Sequence, residues 1–143
     1  MYTVARFIGK KVEPSVLTEI QKHLKQRMPS TFESDQGKNH LSCSISRSAS
    51  WKDHESAAMI FLTQCSEIIR SAIKRGLVVQ FDIALQPEDY EGRLLYCVTF
   101  SDSFLEHAYK HKIRIEFSLY LLKRLKLPLL KSGQKLQGQS HGN

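Results

Sequence analysis

The sequence predicts an α+β fold in which a single, mostly antiparallel sheet of about five strands is covered by helices on one face. Several segments alternate apolar and polar residues with a period of two, as strands with one buried face do. Between them lie segments whose apolar residues recur every three or four positions, which is typical of one face of a helix. The predicted order of elements is β-α-β-α-β-β-α-β.

The first two elements are predicted to be a strand and a helix. Residues 2–8, YTVARFI, form a short β-rich run. Pro14 suits the first position of a helix, and apolar residues at steps of three and four continue to about residue 28. Pro29 ends this helix, because proline cannot continue its hydrogen-bond pattern. The polar residues that follow are predicted to be a connection.

Residues 42–50, SCSISRSAS, have a serine at every second position. The positions between and beside the serines are mostly apolar: Leu41, Cys43, Ile45, Arg47, Ala49 and Trp51. A disordered serine-rich linker would lack these apolar residues, so the alternation predicts a half-buried strand. Its serines are expected on the face of the sheet that the helices leave open.

A long helix and two strands are predicted next. The helix has Asp53 as its N-cap and runs to about Arg75, and Gly76 takes the left-handed position after its end. Residues 77–85, LVVQFDIAL, alternate as a strand, and residues 93–100, RLLYCVTF, are predicted to return beside it as an antiparallel hairpin.

The last predicted elements are a short helix and a strand. Ser103 and Glu106 have the spacing of a capping box at the start of the helix. Residues 112–121, KIRIEFSLYL, then alternate without interruption, with Arg114 and Glu116 on the polar face. We expect residues 1–122 to form one α+β domain and residues 123–143 to be a basic, flexible tail.

Composition and charge limit the class of protein. Hydrophobic residues make up 41% of the 143 residues and charged residues 24%, as in an ordinary soluble globular protein. The net charge of +7 is concentrated in residues 121–143, which contain five lysines and arginines and no acid. The remainder is nearly neutral, which argues against a basic nucleic-acid-binding face. With no apparent leader or membrane span, the expected location is the cytoplasm.

No catalytic or metal-binding set is predicted. Cys43, Cys65 and Cys97 are too widely spaced for a metal knuckle and are expected to be reduced core thiols. His107 and His111 have the spacing of two zinc ligands on a helix, but the segment lacks the glutamate of the metalloprotease motif. His40, Cys43 and His54 are weak candidates for a nucleophilic set. We therefore expect no enzyme activity, no cofactor and no metal.

Two groups of residues are candidates for binding a protein partner. The acidic group surrounds a tyrosine, and a tyrosine flanked by carboxylates suits recognition of a basic surface. It consists of Glu88, Asp89, Tyr90 and Glu91 on the predicted hairpin loop. The second group lies on the predicted open face of the sheet and consists of Gln80, Asp82, Arg114 and Glu116. A charged loop and a solvated sheet face without a partner remain the simpler interpretations of both groups.

The segment WKDHES...FDIAL...YCVTFSDSFLEHAYKHKIRIEFSLYL resembles a family of small bacterial proteins that accompany polymorphic or contact-dependent toxins as candidate immunity proteins. The resemblance covers residues 2–121 and rests on a tryptophan ahead of a long helix, a hairpin, and a short helix between two strands. It implies a cytoplasmic, non-enzymatic inhibitor that forms a complex with its cognate toxin. The basic tail and the positive net charge depart from the pattern of an acidic nuclease inhibitor.

Two other functions stay open at this stage. A nucleic-acid-binding module would use the tail and the open face, but only Tyr96 and Tyr120 offer stacking rings there, and Asp82 and Glu116 oppose phosphate. An enzyme with an unrecognised site would require a cleft with a strongly perturbed titratable group. The sequence leaves the oligomeric state undetermined.

Overall fold

The computed structural model describes residues 1–28, 33–86 and 98–119. The strands are β1 (Tyr2–Ile8), β2 (Ser34–Gln36), β3 (His40–Arg47), β4 (Val78–Leu85) and β5 (Arg114–Leu119). The helices are α1 (Pro14–Arg27), α2 (Trp51–Gln64), α3 (Ser66–Lys74) and α4 (Asp102–Lys110).

The strands form one mixed, mostly antiparallel sheet in the order β2-β3-β1-β4-β5, which confirms the predicted α+β class. β1 lies at the centre and pairs antiparallel with β3 and with β4. The short β2, which the sequence did not predict, pairs antiparallel with β3. β5 is the exception, because it pairs with β4 in parallel. A parallel pair requires a crossover connection, and α4 lies within it.

The predicted hairpin between residues 77–85 and 93–100 is wrong. Both edges of β4 are occupied, one by β1 and the other by β5. Residues 98–100 are not in a strand, and residues 93–97 lie outside the described part of the chain. Thr99 and Phe100 instead contact α2, where the Trp51 indole donates a hydrogen bond of 2.7 Å to the Thr99 carbonyl.

The helices pack on one face of the sheet, and the core lies between. In β1, Thr3, Ala5 and Phe7 are buried while the residues between them are half-exposed, which is the alternation expected of a strand covered on one face. β3 follows the same rule at Leu41 and Cys43, which confirms the predicted alternation for the first part of this strand. A register shift between Thr3 and Val4 then places Arg47 opposite Tyr2, so the prediction that Arg47 shares the face of Leu41 and Cys43 is wrong. The largest fully buried rings are Phe7, Phe61, Phe81 and Phe104.

The helix predicted over residues 53–75 is two helices, α2 and α3, separated at Cys65. The N-cap of α2 is Ser50 and not Asp53, which lies in the first turn and accepts a 2.7 Å hydrogen bond from the Ser48 hydroxyl. Gly76 has a φ of +81° after α3, as predicted.

The start of α4 also differs from the prediction. Ser101, not Ser103, caps this helix, and its hydroxyl accepts a 3.2 Å hydrogen bond from the Phe104 amide. The Ser101 amide also donates a 2.8 Å hydrogen bond to the carboxylate of Glu55, which ties the start of α4 to α2. In the described ranges, the longest helices have 14 residues. That is shorter than the ~20 apolar residues that a membrane-crossing helix needs, and no described helix could span a bilayer.

Candidate functional site on the open face of the sheet

The structure brings the four predicted sheet-face residues together. Gln80 is in register with Arg114, and Asp82 with Glu116, on the adjacent parallel strands β4 and β5. All four lie on the face opposite the helices, because they alternate with residues such as Phe81 and Ile115 that contact the core. The Gln80 side-chain amide donates a 2.8 Å hydrogen bond to the Glu116 carboxylate.

Gln80 and Asp82 are nevertheless buried, so the prediction that they are open to solvent or a partner is wrong. Asp82 is 0% exposed and Gln80 is 3% exposed. Side chains of neighbouring strands contact both residues: Arg6 and Ser118 contact the Asp82 carboxylate, and Glu116 contacts the Gln80 amide. Arg114 and Glu116 on β5 are exposed, as predicted.

Asp82 is the centre of a polar network that joins three strands. The guanidinium of Arg6 on β1 forms an ion pair with it, and Nη2 lies 2.6 Å from Oδ2. Apart from this ion pair, Oδ2 has no hydrogen-bond partner among the described residues. On the other side, the Ser118 hydroxyl of β5 donates a 2.7 Å hydrogen bond to Oδ1. A buried carboxylate needs such partners, because removal of a charge from water is unfavourable.

A cavity of about 510 Å³ lies at one end of the same face. Its lining residues are Met1, Tyr2, Val4, Ser44, Arg47 and Gln86. Val4 is in register with Asp82 on one side and Ser44 on the other, so the cavity is next to the polar network. The size is within the range of ligand pockets, ~300–1,000 Å³. Sequence reasoning missed this site, although the alternation of β1 placed Tyr2 and Val4 on the same face as Arg6.

The serines of the alternating segment belong to this face as well. Ser42 is in register with Arg6, and Ser44 lines the cavity. Both are half-buried, and the neighbouring residues on the other face, Leu41 and Cys43, are fully buried. The strand ends at Arg47, so it does not extend to residue 50 as the serine pattern suggested.

The acidic segment of Glu88, Asp89, Tyr90 and Glu91 lies outside the described residues, and so do Tyr96, Tyr120 and the tail of residues 123–143. The roles proposed for these residues remain predictions.

The weak nucleophilic candidates do not come together. Cys43 faces the core, whereas His40 lies three residues before it on the same strand and therefore on the opposite face. Burial raises the pKa of the Cys43 thiol to about 12, so this thiol is protonated at neutral pH. His54 is buried and holds hydrogen bonds of 2.9 Å to the Thr3 hydroxyl and to the Ser48 carbonyl.

One ring nitrogen of His54 has a defined role in this arrangement. The Ser48 carbonyl can only accept, so Nε2 carries a proton, and Nδ1 forms the hydrogen bond with the Thr3 hydroxyl. His54 is thereby a core residue that connects α2 to β1. Over the described ranges, no three metal-ligating side chains are grouped closely enough to hold a metal ion.

Comparisons with protein-family models, with curated protein sequences and with solved structures give no match. The assignment of a function therefore depends on the arrangement of this chain's own residues.

Proposed function

We propose that this chain is a non-enzymatic, cytoplasmic protein-binding inhibitor, most concretely an immunity protein that neutralises a cognate bacterial toxin by forming a complex with it. The observation that carries the proposal is the network around Asp82, which fixes side chains of β1, β4 and β5 beside the 510 Å³ cavity. Side chains that are ordered before binding lose less conformational entropy in a complex. A stiff, polar face of this kind suits specific recognition of one protein partner.

The contact residues of the proposed interface surround the buried network. Arg47 and Arg114 are exposed cations, Glu116 is an exposed anion, and Tyr2 lines the cavity. Tyrosine and arginine are among the residue types that dominate binding hot spots. A face with both signs of charge selects a partner with the complementary arrangement. In this proposal Gln80 and Asp82 position these neighbours and do not contact the partner.

The acidic segment of residues 88–91 is the second proposed contact. It follows β4 in the chain within a few residues, and its tyrosine and carboxylates suit a basic partner surface. If it is a hot spot, combining Tyr90→Ala with Asp89→Ala weakens the complex by ~2–4 kcal/mol. Unchanged affinity in this double variant would remove the segment from the interface and leave the proposed sheet-face contact in place.

A nucleic-acid-binding module is the second candidate, and the described face favours it less. The charge of Arg6 is balanced by Asp82, and Glu116 lies between Arg114 and Ser118 on the same strand. A face with balanced charges attracts a phosphate backbone weakly. Tyr2 offers one aromatic ring beside the cavity, whereas stacking platforms for single strands use two or three.

The test is growth rescue. The product of the gene immediately upstream is expressed in a bacterial host, alone and together with this chain, and the complex is isolated by affinity capture. Two variants are compared: Arg47→Glu with Arg114→Glu on the open face, and the charge-matched control Lys22→Glu with Lys52→Glu on exposed helix positions. Thermal midpoints of both variants show that each is folded.

We expect wild-type protein and the helix control to rescue growth and to capture the toxin in a one-to-one ratio. The open-face variant should lose both properties, because charge reversal at an interface replaces attraction with repulsion. Rescue by the open-face variant would contradict the assigned surface. A steeply salt-dependent capture of nucleic acid, without a protein partner, would favour the second candidate.

A further inference from the structure

A second cavity, of about 450 Å³, lies on the helix side of the molecule, away from the open face of the sheet. Its lining residues are Thr63, Ser66, Arg70, His107, Lys110 and His111. They come from the end of α2, from α3, and from α4 and the residue after it. Of these six described residues, four are basic and the other two carry hydroxyls.

The cations of this cavity form no direct ion pair with a described carboxylate. The described ion pairs join Arg6 to Asp82, Arg47 to Glu33 and Arg75 to Glu19, and neither Arg70 nor Lys110 takes part in one. The positive groups are close enough to affect one another. Burial, and then the charges of Lys110, His107 and Arg70, lower the pKa of His111. Cations that converge without a counter-ion repel each other, and an anion among them would relieve that repulsion.

The orientation of His107 directs one ring nitrogen towards the cavity. Its Nδ1 lies 2.8 Å from the Ser103 carbonyl, which can only accept, so Nδ1 carries a proton. The opposite edge of the ring, with Nε2, is left for the cavity that His107 lines. Nε2 accepts when the ring is neutral and becomes a donor only when the ring is an imidazolium.

The same geometry disfavours the zinc site that the spacing of His107 and His111 suggested. A metal cation at the two imidazoles would be repelled by Arg70 and Lys110, which line the same cavity. An oxyanion, in contrast, would receive charge-assisted hydrogen bonds from both cations and a neutral one from the hydroxyl of Ser66.

We propose that the cavity between α3 and α4 binds a small tetrahedral oxyanion, either inorganic phosphate or the phosphate group of a small ester. Arg70 and Lys110 supply the charge, Ser66 supplies a hydroxyl donor, and His111 adds a donor when it is protonated. Binding therefore tightens as the pH falls. This site does not depend on the proposed interface, which lies on the other face of the sheet.

The experiment is a titration of the full chain followed by amide and imidazole NMR signals at constant ionic strength. Sulfate is the first probe, because it remains a dianion between pH 5.5 and 7.5 and any pH dependence then belongs to the protein. Inorganic phosphate and methyl phosphate are compared next. Tighter binding of methyl phosphate supports the ester, and tighter binding of phosphate supports the free ion.

We expect saturable shifts centred on Ser66, Arg70, His107 and His111, and tighter sulfate binding at pH 5.5 than at pH 7.5. The Arg70→Gln and Lys110→Gln double variant should bind sulfate at least about tenfold more weakly, as expected when a charge-assisted hydrogen bond is lost. The control, Lys22→Gln with Lys25→Gln on exposed positions of α1, removes the same charge and should bind as the wild type does.

Several results would overturn the proposal. Shifts that do not saturate, or that spread evenly over the basic surface, would mean that sulfate only screens charge. Equal sulfate affinity of the cavity variant and the α1 control would also mean that sulfate only screens charge. The basic side chains would then be stabilised only by the helix dipole at the C-terminal end of α4, which favours cations such as Lys110.

Discussion

Arg6 on β1 and Asp82 on β4 form an ion pair across the centre of the sheet, in which Nη2 lies 2.6 Å from Oδ2 and the carboxylate side chain is fully buried. Removal of the cation would leave a buried charge without its partner. We predict that Arg6→Met lowers the free energy of unfolding by ~3 kcal/mol. Chemical denaturation of the purified protein measures this loss.

Arg114→Met is the matched control, because Arg114 is exposed on the same face and forms no described ion pair. We expect it to change stability by less than ~0.5 kcal/mol. Combining Arg6→Met with Asp82→Leu should recover most of the lost stability, since a buried ion pair and an apolar pair are often equivalent in free energy. A double variant as unstable as the sum of its single variants would show that the two residues are not coupled.

The hydrogen bond between Thr3 and His54 connects the central strand to α2 within the core. Thr3→Val keeps the shape and removes the hydroxyl, so we expect a loss of ~1–3 kcal/mol in unfolding free energy. Thr63→Val is the control, because that exposed hydroxyl donates only to the Met59 carbonyl of its own helix. If both variants are equally stable, the Thr3 hydroxyl contributes nothing to the packing of α2.

Gly76 has a left-handed φ of +81° at the end of α3, and a Cβ there would meet no atom within 4 Å. The effect of Gly76→Ala is therefore a backbone effect alone, and we expect a loss of ~1 kcal/mol in unfolding free energy. Gly76→Asn should lose less, because asparagine tolerates this conformation. An alanine variant as stable as the asparagine variant would contradict the left-handed conformation.

Burial raises the pKa of Cys43 to about 12 and that of Cys65 to about 11. Both thiols should therefore react slowly with iodoacetamide at pH 8, because the thiolate is the reactive form. Peptide mapping by mass spectrometry should find them unmodified in the native protein and modified in denaturant. Equal labelling in both states would contradict their burial.

The same pKa values predict how stability depends on pH. In the unfolded chain these thiols lose their protons near pH 8.5, whereas in the folded protein they keep them to about pH 11. Between these values the unfolded state binds fewer protons, so the contribution of each thiol to stability falls as the pH rises. Substituting Cys43 and Cys65 by alanine should flatten the decline in unfolding free energy above pH 9, at the expense of stability at pH 7.

Much of the fold is readable from the sequence because its signals are local. The alternation of residues 2–8 and 41–47 gives β1 and β3, and Pro14 marks the start of α1. The division at Cys65 has no such signal, because buried residues continue at helical spacing from Phe61 through Cys65 to Ile69. The three polar residues of β2 likewise lack an apolar alternation that would identify a strand.

The pairing partners of β4 could not be predicted from local sequence signals. A short loop favours pairing with the next alternating segment, but β1 and β5 occupy its edges from far away in the sequence. The candidate site on the open face was likewise predictable only in part. Alternation placed Gln80 and Asp82 on the correct face, whereas their burial depends on neighbours that include Arg6 and Ser118 on distant strands.

The position of β1 in the sheet has a consequence for synthesis of the protein. β1 is synthesised before β3 and β4 but lies between them in the sheet. Tyr2 can therefore complete its pairing only after Ala84 has been synthesised. At ~5–20 residues per second on the ribosome, that interval lasts several seconds. During this time one edge of an apolar strand is available to other nascent chains. We therefore expect the rate of elongation between β3 and β4 to decide how much of the newly made protein aggregates.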